Sequence, residues 1–123
     1  MSKTVLVVDD SVSLRQVVAI TLKTAGYQVV EASDGRDALA KLNSAGRISL
    51  IISDVNMPGM DGISFVKEVK KLPNYKFIPI IMLTTESGAD KKQEGQLAGA
   101  KAWVVKPFKP EQMLSAVEKL ILP

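Results

Sequence analysis

Four short apolar runs in the 123-residue chain end in residues able to do chemistry. Asp9-Asp10 follow Val5-Leu6-Val7-Val8, Asp54 follows Leu50-Ile51-Ile52, Thr84-Thr85 follow Ile78 to Leu83, and Lys106-Pro107 follow Ala102 to Val105. Singly, each has an ordinary structural reading: acids cap helices and fill turns, threonine ends strands, and most lysines are solvated. Together they make three carboxylates, a hydroxyl and an amine. Carboxylates held close repel one another, and at least one pKa rises unless a cation compensates. A hard divalent ion is the usual compensation, and Mg2+ suits a site that keeps waters and takes one or two carboxylates plus a phosphoryl oxygen. With Asp54 as nucleophile, in-line phosphoryl transfer needs a metal on one equatorial oxygen, an ammonium on another and a hydroxyl or backbone donor on the third. Mg2+, Lys106 and Thr84 meet those needs.

Composition narrows the alternatives. The chain has no cysteine and no histidine, which removes disulfides, thiolate nucleophiles, Cys/His zinc sites, Ser-His-Asp triads and histidine proton shuttles. Its net charge is +3, with the lysines spread among acids rather than gathered in an aromatic-interleaved patch, so nucleic acid is not expected as a partner. A flavin or nucleotide loop after the first run would offer Gly, Ser or Thr to phosphate, whereas Asp9-Asp10 repel it, and no GxGxxG occurs. A phosphatase of the haloacid-dehalogenase type would separate its paired acids by one residue on the first strand's loop, unlike the adjacent pair here. Met1-Ser2-Lys3-Thr4 leads into a short apolar run ending in two acids, so neither a signal peptide nor a membrane span is expected. The expectation is one domain over residues 1–123 in a soluble, cytoplasmic monomer.

Such residues converge only if the elements bearing them are aligned. Val5–Val8, Val29-Val30, Leu50–Ile52, Ile78–Leu83 and Ala102–Val105 are short and mostly β-branched, and read as strands buried on both faces. Between them lie helical patterns. The first puts Leu14, Val17, Val18, Leu22 and Ala25 on one face and stops at Gly26. A second centres on Ala38, Leu39 and Leu42, a third on Phe65, Val66 and Val69, and a fourth runs from Lys91 to Ala98. The last opens at Pro110 and carries Met113, Leu114, Val117, Leu120 and Ile121. Five repeats of strand then helix imply an α/β fold, a parallel sheet with helices on both faces. In such sheets ligands bind outside the carboxyl ends of the strands, where all these groups lie.

The assembled motifs resemble the receiver domain of two-component response regulators, most closely the stand-alone, CheY-like chemotaxis type. They are V-L-V-V-D-D-S at Val5 to Ser11, D-V-N-M-P-G-M-D-G at Asp54 to Gly62, L-T-T-E at Leu83 to Glu86 and K-P-F at Lys106 to Phe108. The resemblance covers essentially the whole chain and implies a flavodoxin-like, doubly wound (βα)5 fold with strand order 2-1-3-4-5, the order that such proteins exemplify. It further implies that Asp54 is the phosphoacceptor, that Asp10, Asp54 and the Asn56 carbonyl ligate Mg2+, and that Asp9 holds the metal through water. Thr84 and Lys106 would contact the phosphoryl oxygens, and the Lys106-Pro107 bond would be cis.

The same resemblance implies a switch. Thr84 would move toward the phosphoryl group, and the aromatic three residues before Lys106, here Trp103 where Tyr or Phe is more usual, would rotate into the vacated space. Asn56 and Glu86 would flank the route of the hydrolytic water and modulate dephosphorylation, giving a phosphorylated state lasting seconds to minutes. The donor would be a phosphohistidine on a CheA-like sensor kinase, since this chain has no histidine. The output surface would be the fourth helix, fifth strand and fifth helix, around Lys92, Gln96 and Trp103, with a flagellar motor switch protein and a phosphatase as candidate partners. The chain is thus expected to be a signalling phosphoacceptor rather than an enzyme, acting in bacterial chemotaxis and flagellar rotation. The alternatives are a phosphate sink or relay in a non-motor pathway and a Mg2+-dependent phosphatase.

Overall fold

In the computed structural model, residues 3–44, 46–55, 57, 59–84, 99–106 and 108–121 are described. The β-branched runs form β1 (Thr4–Val8), β2 (Gln28–Ala32), β3 (Leu50–Asp54), β4 (Ile80–Thr84) and β5 (Ala102–Val105). They make one parallel sheet in the order β2-β1-β3-β4-β5, the flavodoxin-like order. Among the described residues four helices connect or follow them: α1 (Val12–Thr24), α2 (Gly35–Ser44), α3 (Gly62–Lys70) and α4 (Pro110–Leu120). The stretch read from sequence as the fourth helix, Lys91 to Ala98, lies outside the described residues, so α4 is the helix read there as the fifth.

Period-two alternation divides the core in two. Val5, Val7, Leu50, Ile52, Ile81, Leu83 and Val104 face Val18 and Leu22 of α1 and Met113 and Val117 of α4. On the other face Leu6, Val8, Ile51, Ile80 and Met82 meet Ala38 and Leu42 of α2 and Phe65, Val66 and Val69 of α3. β3 and β4 are buried throughout, whereas β2 and β5 are only partly so. Burial on both faces therefore holds for the central strands, and the expectation fails for the two edge strands, each of which has a neighbour on one side only. β4 begins at Ile80 rather than Ile78, because Pro79 has no N–H to give to a ladder.

The helix ends follow local chemistry. The Ser11 hydroxyl caps α1 by accepting the Leu14 N–H, and the Asp61 carboxylate caps α3 by accepting the Ser64 N–H at 2.7 Å. α1 ends as its glycine suggested: Gly26 takes φ +100, its N–H bonding the Lys23 carbonyl and the Tyr27 N–H the Leu22 carbonyl. Its buried face differs from the sequence reading. Val18, Ala19 and Leu22 are buried with Leu14 beside them, whereas Val17 is 51% exposed and Ala25 is exposed. At 100° per residue, Val17 lies too far around the helix from the axis of that stripe to reach the sheet.

Candidate functional site

Parallel pairing puts the carboxyl ends of β1, β3, β4 and β5 on one edge. Register then aligns the residues found there: Val8 lies opposite Ser53, Asp54 opposite Leu83, and Thr84 opposite Val105. Asp54 is the last residue of β3 and Thr84 the last of β4, while Asp9 and Lys106 each follow their strand by one residue. The Lys106 N–H donates to the Thr84 carbonyl at 2.6 Å and the Val55 N–H to the Leu83 carbonyl at 2.9 Å, extending the ladder into the site.

The five residues singled out from sequence do converge. Carboxylate oxygens of Asp9, Asp10 and Asp54 lie within 4.8 Å of one another, Asp9 and Asp54 buried and Asp10 exposed. The Lys106 ammonium sits between the two buried acids, 3.1 Å from Asp54 Oδ1 and 3.4 Å from Asp9 Oδ2. Thr84 is fully buried at the end of β4, the strand next to β3. One lysine faces three carboxylates, so the cluster keeps an excess of negative charge, and its ligands are hard oxygens on one exposed and two buried side chains. That donor set fits Mg2+ or a similar divalent cation. Asn56, Glu86 and Pro107 lie outside the described residues, and with them the Asn56 carbonyl, the water route and the Lys106-Pro107 bond. Trp103 is half-buried against the core shared with α2 and α3, and its indole Nε1 is buried with no hydrogen-bond partner among the described residues.

Two supports were not anticipated from sequence. Arg15 on α1 donates from Nη1 to the Asp9 carbonyl at 2.7 Å and from Nε to Glu31 at 3.2 Å, tying the Asp9 loop to β2. The Asp9 carboxylate in turn accepts the Ser11 N–H at 2.9 Å. Gly62 is the second. A Cβ there would lie 2.2 Å from the Asp54 carbonyl oxygen and 2.8 Å from Val55 Cα, so only glycine lets α3 start this close to the end of β3. The Asp-Gly pair at Asp61-Gly62 was the available signal, since a capping acid followed by glycine marks a tight loop-to-helix entry.

An open α/β sheet of this order, with a carboxylate trio and a lysine at its carboxyl edge, defines the receiver class of signalling domain. The chain belongs to the response regulator receiver family, whose domain description, "Response regulator receiver domain", matches residues 5–118. It is similar to the chemotaxis protein CheY1 of Helicobacter pylori, 39% identical over 117 residues that cover 94% of each chain. It is also 35% identical to the chemotaxis protein CheY of Pseudomonas aeruginosa, again covering 94% of each. Among solved structures, the chemotaxis protein CheY4 of Vibrio cholerae superposes with a TM-score of 0.93 at 53% identity, covering 98% of this chain and 99% of that one.

Proposed function

We propose that the chain is a phosphorylation-controlled signalling module whose phosphoacceptor is Asp54. The observation that carries this reading is the bridging of Asp54 and Asp9 by one lysine beside a third acid at the sheet edge. The Asp54 carboxylate oxygen attacks phosphorus, the phosphorus–nitrogen bond of a phosphohistidine breaks, and its electron pair leaves with the imidazole, forming an acyl phosphate. Asp10, Asp54 and the Asn56 carbonyl would hold Mg2+, with Asp9 acting through water. When bound, the metal neutralises charge on the transferring oxygens. Lys106 and Thr84 serve two of those oxygens, and Lys106 moves from its carboxylate partners to the incoming group.

Loss of that ion pair and capture of Thr84 change the packing at the ends of β4 and β5. Trp103 responds on the neighbouring strand, altering the surface of β5 and α4. Asn56 and Glu86 set the rate at which water ends the signal. The chemotaxis relatives favour a CheA-like sensor kinase as donor, with a flagellar motor switch protein and a phosphatase as further partners of a cytoplasmic monomer. The protein labelled with acetyl phosphate or a phosphorylated sensor kinase in Mg2+ takes up phosphate, and Asp54→Asn abolishes the labelling. Persistent labelling of that variant overturns the assignment.

A further inference from the structure

The opposite edge of the sheet carries a concavity, far along the strands from the acids. It encloses about 540 Å³ between the loop from α2 to β3 and the loop from α3 to β4. That size falls in the range of roughly 300–1,000 Å³ typical of small-molecule sites. Its floor is apolar and buried, made by Leu42, Ile48 and Ile78. The Tyr75 hydroxyl donates to the Gly46 carbonyl at 2.7 Å and fastens one loop to the other, so the shape is held rather than collapsed.

Two features of the lining point to a ligand. The first is charge: Arg47 and Lys76 line the pocket, and no acidic residue does among the described residues. Helix carboxyl ends also emerge at this edge and attract cations, but α2 and α3 already carry Lys41, Lys67 and Lys70 in their last turns. Arg47 and Lys76 are additional, placed on the loops. The second is aromatic surface. Phe77 is 81% exposed beside Tyr75, with the Lys76 ammonium 5.7 Å from its ring centroid. A ring this exposed, next to a cation and lining the same recess as an apolar floor, suits a flat π-system attached to an anion.

We propose that this pocket binds a nucleoside mono- or diphosphate, its base against Phe77 and Tyr75 and its phosphate on Arg47 and Lys76. The amides of Asn43 and Asn74, also at the rim, offer donors and acceptors to the base edge. A short recess between two loops held together by the Tyr75 hydrogen bond favours such a compact ligand over an extended peptide.

The test is titration of the 15N-labelled full chain with AMP, adenosine, pyrophosphate and a Glu-Trp-Glu tripeptide, in EDTA so that no metal recruits phosphate to the acids. AMP is expected to shift the amides of Gly46, Arg47, Tyr75 and Phe77 saturably, with a Kd below about 1 mM. Adenosine and pyrophosphate each bind at least about tenfold more weakly, and Arg47→Gln, Lys76→Gln and Phe77→Ala each weaken AMP by about tenfold. All three side chains are exposed, so these variants fold. The proposal is overturned by any of four results: no saturation at several millimolar AMP, shifts centred on Asp9 and Asp54, pyrophosphate binding as tightly as AMP with Phe77→Ala without effect, or tighter binding of the tripeptide.

Discussion

Asp54→Asn in metal-free buffer tests whether the site is built for its ligand at the expense of the fold. Asp54 Oδ1 lies 3.1 Å from the Lys106 ammonium, an attraction of about 5 kcal/mol at an effective dielectric of ~20. Against it stand the neighbouring acids within 4.8 Å. Repulsion from buried Asp9 amounts to at least about 3.5 kcal/mol at the same dielectric, and that from exposed Asp10 to about 1–2 kcal/mol where the dielectric is higher. The Coulomb contributions therefore nearly cancel, and desolvation decides the sign. Asp54 is 5% exposed. Keeping a carboxylate ionised there costs several kcal/mol, part of which an isosteric amide avoids. The variant should be more stable than the parent by about 2 kcal/mol, which for a chain of this size raises Tm by roughly 6–10 °C. Urea and thermal unfolding in EDTA measure it. Excess Mg2+ should then shrink the difference, because a cation that binds the native trio stabilises the parent by mass action. A variant less stable than the parent in EDTA, or a difference indifferent to Mg2+, would refute the reasoning.

The other predictions probe what surrounds the acids. Gly62→Ala drives a methyl group into the Asp54 carbonyl and should cost about 3 kcal/mol or more in urea unfolding, with slower acetyl phosphate labelling. Arg15→Met removes the bonds to the Asp9 carbonyl and Glu31, and should cost about 1–3 kcal/mol while weakening Mg2+ binding in a calorimetric titration. The Asp37 pKa is held below its ordinary 3.8, chiefly by the Ser33 N–H and also by Lys41. A depressed carboxylate adds stability above its unfolded pKa and loses it as pH falls through the folded one. The deficit of Asp37→Asn should therefore be full at neutral pH and fade below about pH 4; a deficit constant with pH contradicts this. Trp103 is the chain's single tryptophan, so its emission should change when beryllofluoride and Mg2+ are added, and unchanged emission argues against its movement.

The strand order of the sheet and the residues proposed for the site were legible in the sequence alone. Strand character follows from short β-branched runs, helix limits from Gly26 and Pro110, and the convergence of Asp9, Asp54, Thr84 and Lys106 from parallel pairing, which needs no side-chain detail. Tertiary structure decided whatever depends on which neighbour a residue meets. Val17 is apolar and helical yet exposed, because the axis of α1's stripe is set by its seat on the sheet rather than by its composition. β2 and β5 have strand sequences but edge burial, because sheet order assigns neighbours that the strand itself does not encode. Arg15 reaches the Asp9 carbonyl, and position 62 accepts only glycine against Asp54, because of the way α1 and α3 seat on the sheet, even though the contacting residues are near in sequence. The pocket at the opposite edge joins two loops about thirty residues apart, and only their packing puts Arg47 and Lys76 around one apolar floor. Periodicity and motif report what a residue is and where its element ends, whereas exposure, charge pairing and cavity shape are properties of pairs of segments.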